Sequence, residues 1–271
     1  MVATPIRAAL SRAAGRMARA RWSRLLIPWF ARHYRVAPDS YSVPLHGFSC
    51  LQEFFCRPLA PGLRPVAAGA DVLTSPADGV LGGCGPVDAA GQLFQAKGHR
   101  YALSALLGDP AAAAAYVGGC YCTIYLAPSD YHRVHAPEAG LVREARYIPG
   151  SYFPVNPSAV ARVPALFAAN ERLVSYLDTS AGRVAVVMVG ACLVGGIRVN
   201  YDPGWNAASR RRHASHRQYN PPEAFARGQE LGRFEFGSTV ILLAPRARLL
   251  VSAGARVQVG QAIAETGNSP A

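Results

Sequence analysis

From residue 72 onward, glycine and proline keep every apolar run short, and this limits what the chain can fold into more than any other feature. The runs at 120–127, 141–148, 184–199, 239–244 and 248–253 are β-branched, aliphatic or aromatic, and predict strands. The longest apolar run, 184–197, holds three glycines and is rich in valine. It is too short for a transmembrane helix and reads as a buried strand. Short helices are predicted at 51–56, 103–107 and 164–173, and a tight β-hairpin at 255–264. No internal repeat is found. The expected fold class is α+β: a mostly antiparallel β-sheet core with short helices and an N-terminal helical membrane-associating segment. The expected division is a basic segment at 1–40 and a catalytic domain at 41–271.

The N-terminal segment stands apart in composition. Residues 1–38 contain no acidic residue, and arginines such as Arg12, Arg16 and Arg19 alternate with Met17, Trp22, Leu25, Trp29 and Phe30. The composition is helical up to Pro28. Tryptophan and arginine on one helix favour a membrane interface, with rings at headgroup level and guanidinium groups on lipid phosphates. A targeting peptide and an ordinary basic helix are the competing readings. The whole chain carries 28 basic and 16 acidic residues, a net charge of +12, which favours an anionic partner. Zinc-finger spacing and aromatic-basic RNA-binding tracts are lacking, so nucleic acid is not expected. The six cysteines show no framework spacing and read as reduced thiols. Lys97 is the only lysine, so pyridoxal-phosphate chemistry would have to use it.

Three short tracts hold the parts of an activated nucleophile: Ser75-Pro76-Ala77-Asp78-Gly79, Tyr131-His132-Arg133-Val134-His135 and Phe236-Gly237-Ser238-Thr239. Each has a plainer reading. Asp-Gly is a turn signal, Gly-Ser-Thr can open a strand, and a His-x-x-His pair can bind metal. No further ligand lies at an obvious spacing from the histidines, so no metal is expected. A turn should carry His132, and His135 should enter the next strand. Asp78 would orient a histidine by accepting its imidazole N–H. One rival function is a Ser-His-Asp lipid hydrolase, but Ser238 lacks the Gly-x-Ser-x-Gly elbow. Another is a non-catalytic membrane-surface binding protein. Residues 200–222 are the least regular stretch, read either as a solvated loop or as a lid whose arginines and Trp205 meet a lipid surface.

Taken in order, the three tracts resemble the phosphatidylserine decarboxylase family. So do Gln95-Ala96-Lys97-Gly98-His99, Phe167-Ala168-Ala169-Asn170-Glu171-Arg172 and Gly228-Gln229-Glu230-Leu231-Gly232-Arg233-Phe234. The resemblance runs from about 41 to 263, and Phe236 replaces the leucine usual before Gly-Ser-Thr. It implies a proenzyme that cuts itself between Gly237 and Ser238. Asp78, His135 and Ser238 would carry the cleavage, leaving a large subunit of 1–237 and a small one of 238–271. Ser238 would become a pyruvoyl group, the covalent cofactor, with no metal and no pyridoxal phosphate. His132 would deliver the proton in decarboxylation, because histidine titrates near the working pH. Phosphatidylserine at an anionic membrane surface is the expected partner, and a homodimer is expected. The expected location is peripheral, on the cytoplasmic face of the inner membrane, or on the mitochondrial inner membrane in a eukaryote.

Overall fold

The computed structural model describes residues 13–191, 196–205, 213–235 and 238–267. Its strands are β1 (Val72–Thr74), β2 (Gly79–Pro86), β3 (Gln92–Ala96), β4 (His99–Ala102), β5 (Cys120–Leu126), β6 (Arg133–His135), β7 (Gly140–Ile148) and β8 (Arg172–Thr179). They continue as β9 (Gly182–Gly190), β10 (Ile197–Val199), β11 (Ser215–Phe225), β12 (Glu230–Phe234), β13 (Ser238–Ala244), β14 (Arg248–Leu249), β15 (Arg256–Val257) and β16 (Ala262–Glu265). Eight of them form one sheet in the order β11-β7-β8-β9-β13-β5-β2-β15. Every pairing in it is antiparallel. Two three-stranded sheets, β1-β16-β14 and β10-β12-β6, and the β3-β4 pair complete the set. The expected α+β class with a mostly antiparallel core is what the chain adopts.

Strand periodicity explains the central sheet. Val240 and Leu242 of β13 enter one core with Val184, Val186 and Met188 of β9, while Ile241 and Leu243 enter a second core with Ala185, Val187 and Val189. Alternate residues point to opposite faces, and both faces are covered, so these strands read as unbroken apolar runs. Each fully buried aliphatic side chain contributes roughly 1.5–3 kcal/mol.

Four expectations are corrected. The 184–197 run is not one strand: β9 ends at Gly190 and β10 opens at Ile197, with 192–195 outside the described residues. The 255–264 stretch makes a turn but no hairpin. β15 pairs with β2, and β16 pairs with β1 and β14, because the two strands serve different sheets. Residues from Ser215 onward form β11, the edge strand of the large sheet. An edge tolerates Pro221 and Pro222, and the register shifts between Gln218 and Glu223. Trp205 is fully buried rather than lipid-facing; its Nε1–H donates to Tyr219 Oη at 2.6 Å. Residues 206–212, which include Arg210 to Arg212, lie outside the described residues.

The N-terminal segment is helical over 13–19, then a 3-10 helix over Arg21–Leu26 and an α-helix over Ile27–His33. Pro28 does not end a helix. It sits in the first turn of one, where its missing N–H costs nothing. Phe30 packs edge-on against Phe54 and Phe55 of the helix Leu51–Phe55, so a third core spans position 40. Trp22, Leu25 and Trp29 stay 50%, 74% and 60% exposed. Among the described residues no helix is long and apolar enough to cross a membrane.

Candidate active site

Ser238 opens β13, the strand held between β5 and β9, opposite Leu126 on one side and Gly190 on the other. It is fully buried, and its Oγ has no hydrogen-bond partner among the described residues. An unpaired buried hydroxyl costs free energy, and the Thr239 Oγ1 next to it is likewise buried and unpaired among the described residues. Phe236 and Gly237 lie outside the described residues.

Behind Ser238 the backbone is tightly braced. Asn170 Nδ2 donates to the carbonyls of Gly190 and Phe153 at 2.9 Å each, and the Gly190 N–H donates to Glu171 O at 2.8 Å. Glu171 accepts from Tyr147 Oη at 2.6 Å, and burial raises its pKa. Nothing local to the Asn170-Glu171-Arg172 tract encodes its task, which depends on contacts distant in sequence. Its task is to fix the strand beside Ser238.

The loop after β5 leads to both histidines. Its start is pinned by Asp130, whose carboxylate accepts the Ala127 N–H at 2.8 Å and pairs with Arg256. The expected placement is corrected: His132 follows the turn at 128–130 rather than lying on it, and His135 ends β6 rather than entering a strand, because β6 is only the three residues Arg133–His135. The Phe234 N–H donates to His132 O at 3.0 Å, while His135 pairs with Glu230 at the far end of β12. In register, therefore, His132 is the histidine nearer the chain leading to Ser238.

The two rings are held differently. His132 is fully buried, donates from Nδ1 to Asp130 O at 2.8 Å, and leaves Nε2 buried without a partner among the described residues. Its ring lies 4.0 Å from that of Phe55. Burial, with the Arg57 charge adding to it, pushes its pKa down to about 3. The expectation that His132 titrates near the working pH therefore fails for the isolated site. His135 donates from Nδ1 to Gly228 O at 2.7 Å, so Nε2 accepts the Tyr131 hydroxyl at 2.9 Å. Burial lowers its pKa as well.

Asp78 comes near His135 through the backbone, since the His135 N–H donates to Pro76 O at 2.8 Å. Its carboxylate accepts instead from Arg64 Nε at 3.1 Å and from the Val259 N–H at 2.8 Å. The imidazole N–H expected to point at Asp78 goes to Gly228. Asp-Gly opens β2 here, and a Cβ on Gly79 would stand 2.3 Å from Tyr125 O, so only glycine fits. Tyr131, Arg64, Gly228 and Asp130 were missed as site residues. Tyr131 flanks the histidines, but the others join the site only through long-range contacts. Among the described residues no cluster of His, Cys, Asp and Glu could hold a metal ion.

The arrangement holds a buried serine hydroxyl and two buried imidazoles, one with a nitrogen unpartnered among the described residues and one with a nitrogen shared with tyrosine. Residues 51–265 match the family model described as phosphatidylserine decarboxylase. The chain is 48% identical to the phosphatidylserine decarboxylase proenzyme of Anaeromyxobacter sp. (strain K), across 93% of this chain and 92% of that protein. It is 42% identical to that of Pseudomonas putida (strain GB-1), across 94% and 93%, and 40% identical to that of Brevibacillus brevis, across 94% and 93%. With the order of its tracts and the placement of Ser238, these matches make the chain a member of the phosphatidylserine decarboxylase family.

Proposed function

We propose that this chain decarboxylates phosphatidylserine to phosphatidylethanolamine with a pyruvoyl group made from its own Ser238. The observation that carries this reading is the Ser238 hydroxyl, buried and unpaired among the described residues at the head of a central strand. Its place at the Gly-Ser junction, where β13 begins between β5 and β9, sets it apart from the neighbouring Thr239 hydroxyl, which is also buried and unpaired among the described residues.

Self-cleavage starts with loss of the Ser238 Oγ proton to His135 Nε2, after Tyr131 releases that nitrogen. Oγ attacks the Gly237 carbonyl carbon, and the Gly237–Ser238 peptide bond becomes an ester. Elimination frees 1–237 with a carboxylate end and leaves dehydroalanine at 238. Hydrolysis then loses ammonia and leaves the pyruvoyl group. Ser238 suits this fate because β5 and β9 hold its backbone whether or not the upstream peptide is attached. Asp78 acts at one remove, by fixing Arg64 and the Val259 turn around His135 and Tyr131. The pyruvoyl group supplies an electron sink for decarboxylation. His132 holds its bare Nε2 for the proton that must reach the substrate carbon. A substrate anion against the ring raises the ring's pKa and loads that nitrogen.

Two observations favour exchanging the two histidine roles: the Nε2 of His132 has no partner among the described residues, and His132 lies nearer Ser238 in register. His132→Ala decides between them. Cleavage that persists without CO₂ release keeps the assignment, and loss of cleavage reverses it.

We further propose that 1–40 is a membrane-associating segment on the catalytic domain 41–271. The exposed Trp22, Leu25 and Trp29 support this. The enzyme would sit peripherally on the cytoplasmic face of the inner membrane (or the mitochondrial inner membrane in a eukaryote), as a homodimer. The functional test is conversion of phosphatidylserine vesicles by purified protein. Borohydride should abolish it by reducing the ketone. Turnover that survives borohydride, or no CO₂ at all, overturns the proposal.

A further inference from the structure

A cleft of about 540 Å³ opens between the Leu51–Phe55 helix and the β10-β12-β6 sheet. Arg133, Arg198 and Arg233 line it, together with Glu53 and Glu235. Their pairings do not cancel. Arg133 and Arg233 share Glu230, and Arg198 shares Glu235 with Arg19. Glu53 is tied to the N–H and hydroxyl of Ser49 at 2.6 Å each. Arg19, Arg133, Arg198 and Arg233 thus face Glu53, Glu230 and Glu235, leaving one positive charge over. The Cys56 thiol in the wall adds no negative charge, because burial and Glu235 push its pKa up to about 12. Three guanidinium groups around one excess charge are suited to a single anion that accepts forked hydrogen bonds.

The rim narrows the choice of anion. Pro44 and Phe48 line the same cleft, and Val43 and Leu45 beside them are 62% and 94% exposed. A neighbouring cleft shares Phe48 and Ser49 and is lined by Trp22, Leu25, Arg21 and Arg24. The two clefts therefore meet at Phe48 and Ser49, and exposed apolar side chains flank the way from the arginines to the N-terminal segment. A free inorganic ion has no use for that surface, whereas a lipid has.

We propose that this cleft is a phospholipid headgroup site, in which Arg133, Arg198 and Arg233 hold the phosphodiester of a bilayer lipid whose chains lie toward Val43, Leu45 and Phe48. It places one defined lipid beneath the N-terminal segment, in addition to diffuse attraction of the basic chain for an anionic surface. The site stands independently of how Ser238 reacts.

The test is calorimetric binding of dihexanoyl phosphatidylglycerol, kept monomeric, to the full chain. Arg198→Gln and Arg233→Gln should each weaken binding about tenfold, the usual effect of losing a charge-assisted hydrogen bond. Arg248→Gln removes the same charge from a side chain 72% exposed and paired with Glu265, and should change nothing. Arg233→Lys should bind between wild type and Arg233→Gln. Among the described residues Arg233 makes a single ion pair, at 3.5 Å, so its variants carry the test if Arg198→Gln fails to fold. Equal binding by all variants, or equal weakening by Arg248→Gln, overturns the site. Inorganic phosphate binding as tightly as the short-chain lipid overturns the lipid assignment.

Discussion

His132 and His135 differ in what their second ring nitrogen meets, and that difference predicts pH behaviour. His132 has a pKa pushed down to about 3 in the fold against 6.5 when unfolded. Between those values the unfolded chain binds more protons, so the contribution of His132 to stability falls as pH drops below 6.5 and is constant above it. Its slope is about 1.4 kcal/mol per pH unit. Denaturant unfolding of wild type and His132→Gln should show that extra slope in wild type alone. For His135, lowering of the pKa keeps Nε2 unprotonated to lower pH. Self-cleavage of freshly purified precursor should therefore hold its rate below pH 6.5, and a midpoint at or above 6.5 would contradict His135 as the base. Tyr131→Phe should cut at least as fast as wild type, because it frees Nε2.

At the scale of elements, β13 to β16 all lie downstream of Ser238, yet they serve both the large sheet and the β1-β16-β14 sheet. β13 is hydrogen-bonded along both edges, so the proposed cleavage before Ser238 would leave the small chain held by those pairings. The two chains should co-elute on dilution and separate only in denaturant. Leu242→Ala should cost about 2–5 kcal/mol in unfolding experiments on either form. The same elements show what could be read in advance. Val184 to Val189 announced a buried strand because both faces of β9 are covered, but its end at Gly190 was not legible, since the apolar run continues to 197. β11 was hidden by Pro221 and Pro222, which only an edge position makes tolerable. Trp205 looked like a lipid contact because its neighbours are turn residues, and its burial depends on Tyr147, Arg217 and Tyr219, distant in sequence. In the site, Asp78, His132, His135 and Ser238 were visible by type and order. Their hydrogen-bond partners, Arg64, Gly228 and Tyr131, were not, because local spacing does not encode which donor meets which acceptor across the fold.

For the whole molecule, charge and exposed apolar surface gather at the N-terminal end. Arg19 pairs with Glu235, which ties that segment to the chain entering the proposed cleavage site. Replacing Trp22 and Trp29 together by alanine should weaken sedimentation with anionic vesicles several-fold, while binding by wild type should fall as salt screens the arginines. Both proteins should still process, since Ser238 and its strand partners are untouched.

The central claim is that this protein breaks its own chain at Ser238. The most direct measurement is the intact mass of the purified, natively folded protein. The prediction is two chains, 1–237 and 238–271, with the small one closed at its start by pyruvoyl, resistant to stepwise N-terminal sequencing and reactive with hydroxylamine. A single chain at the full 28.8 kDa that never splits would contradict it.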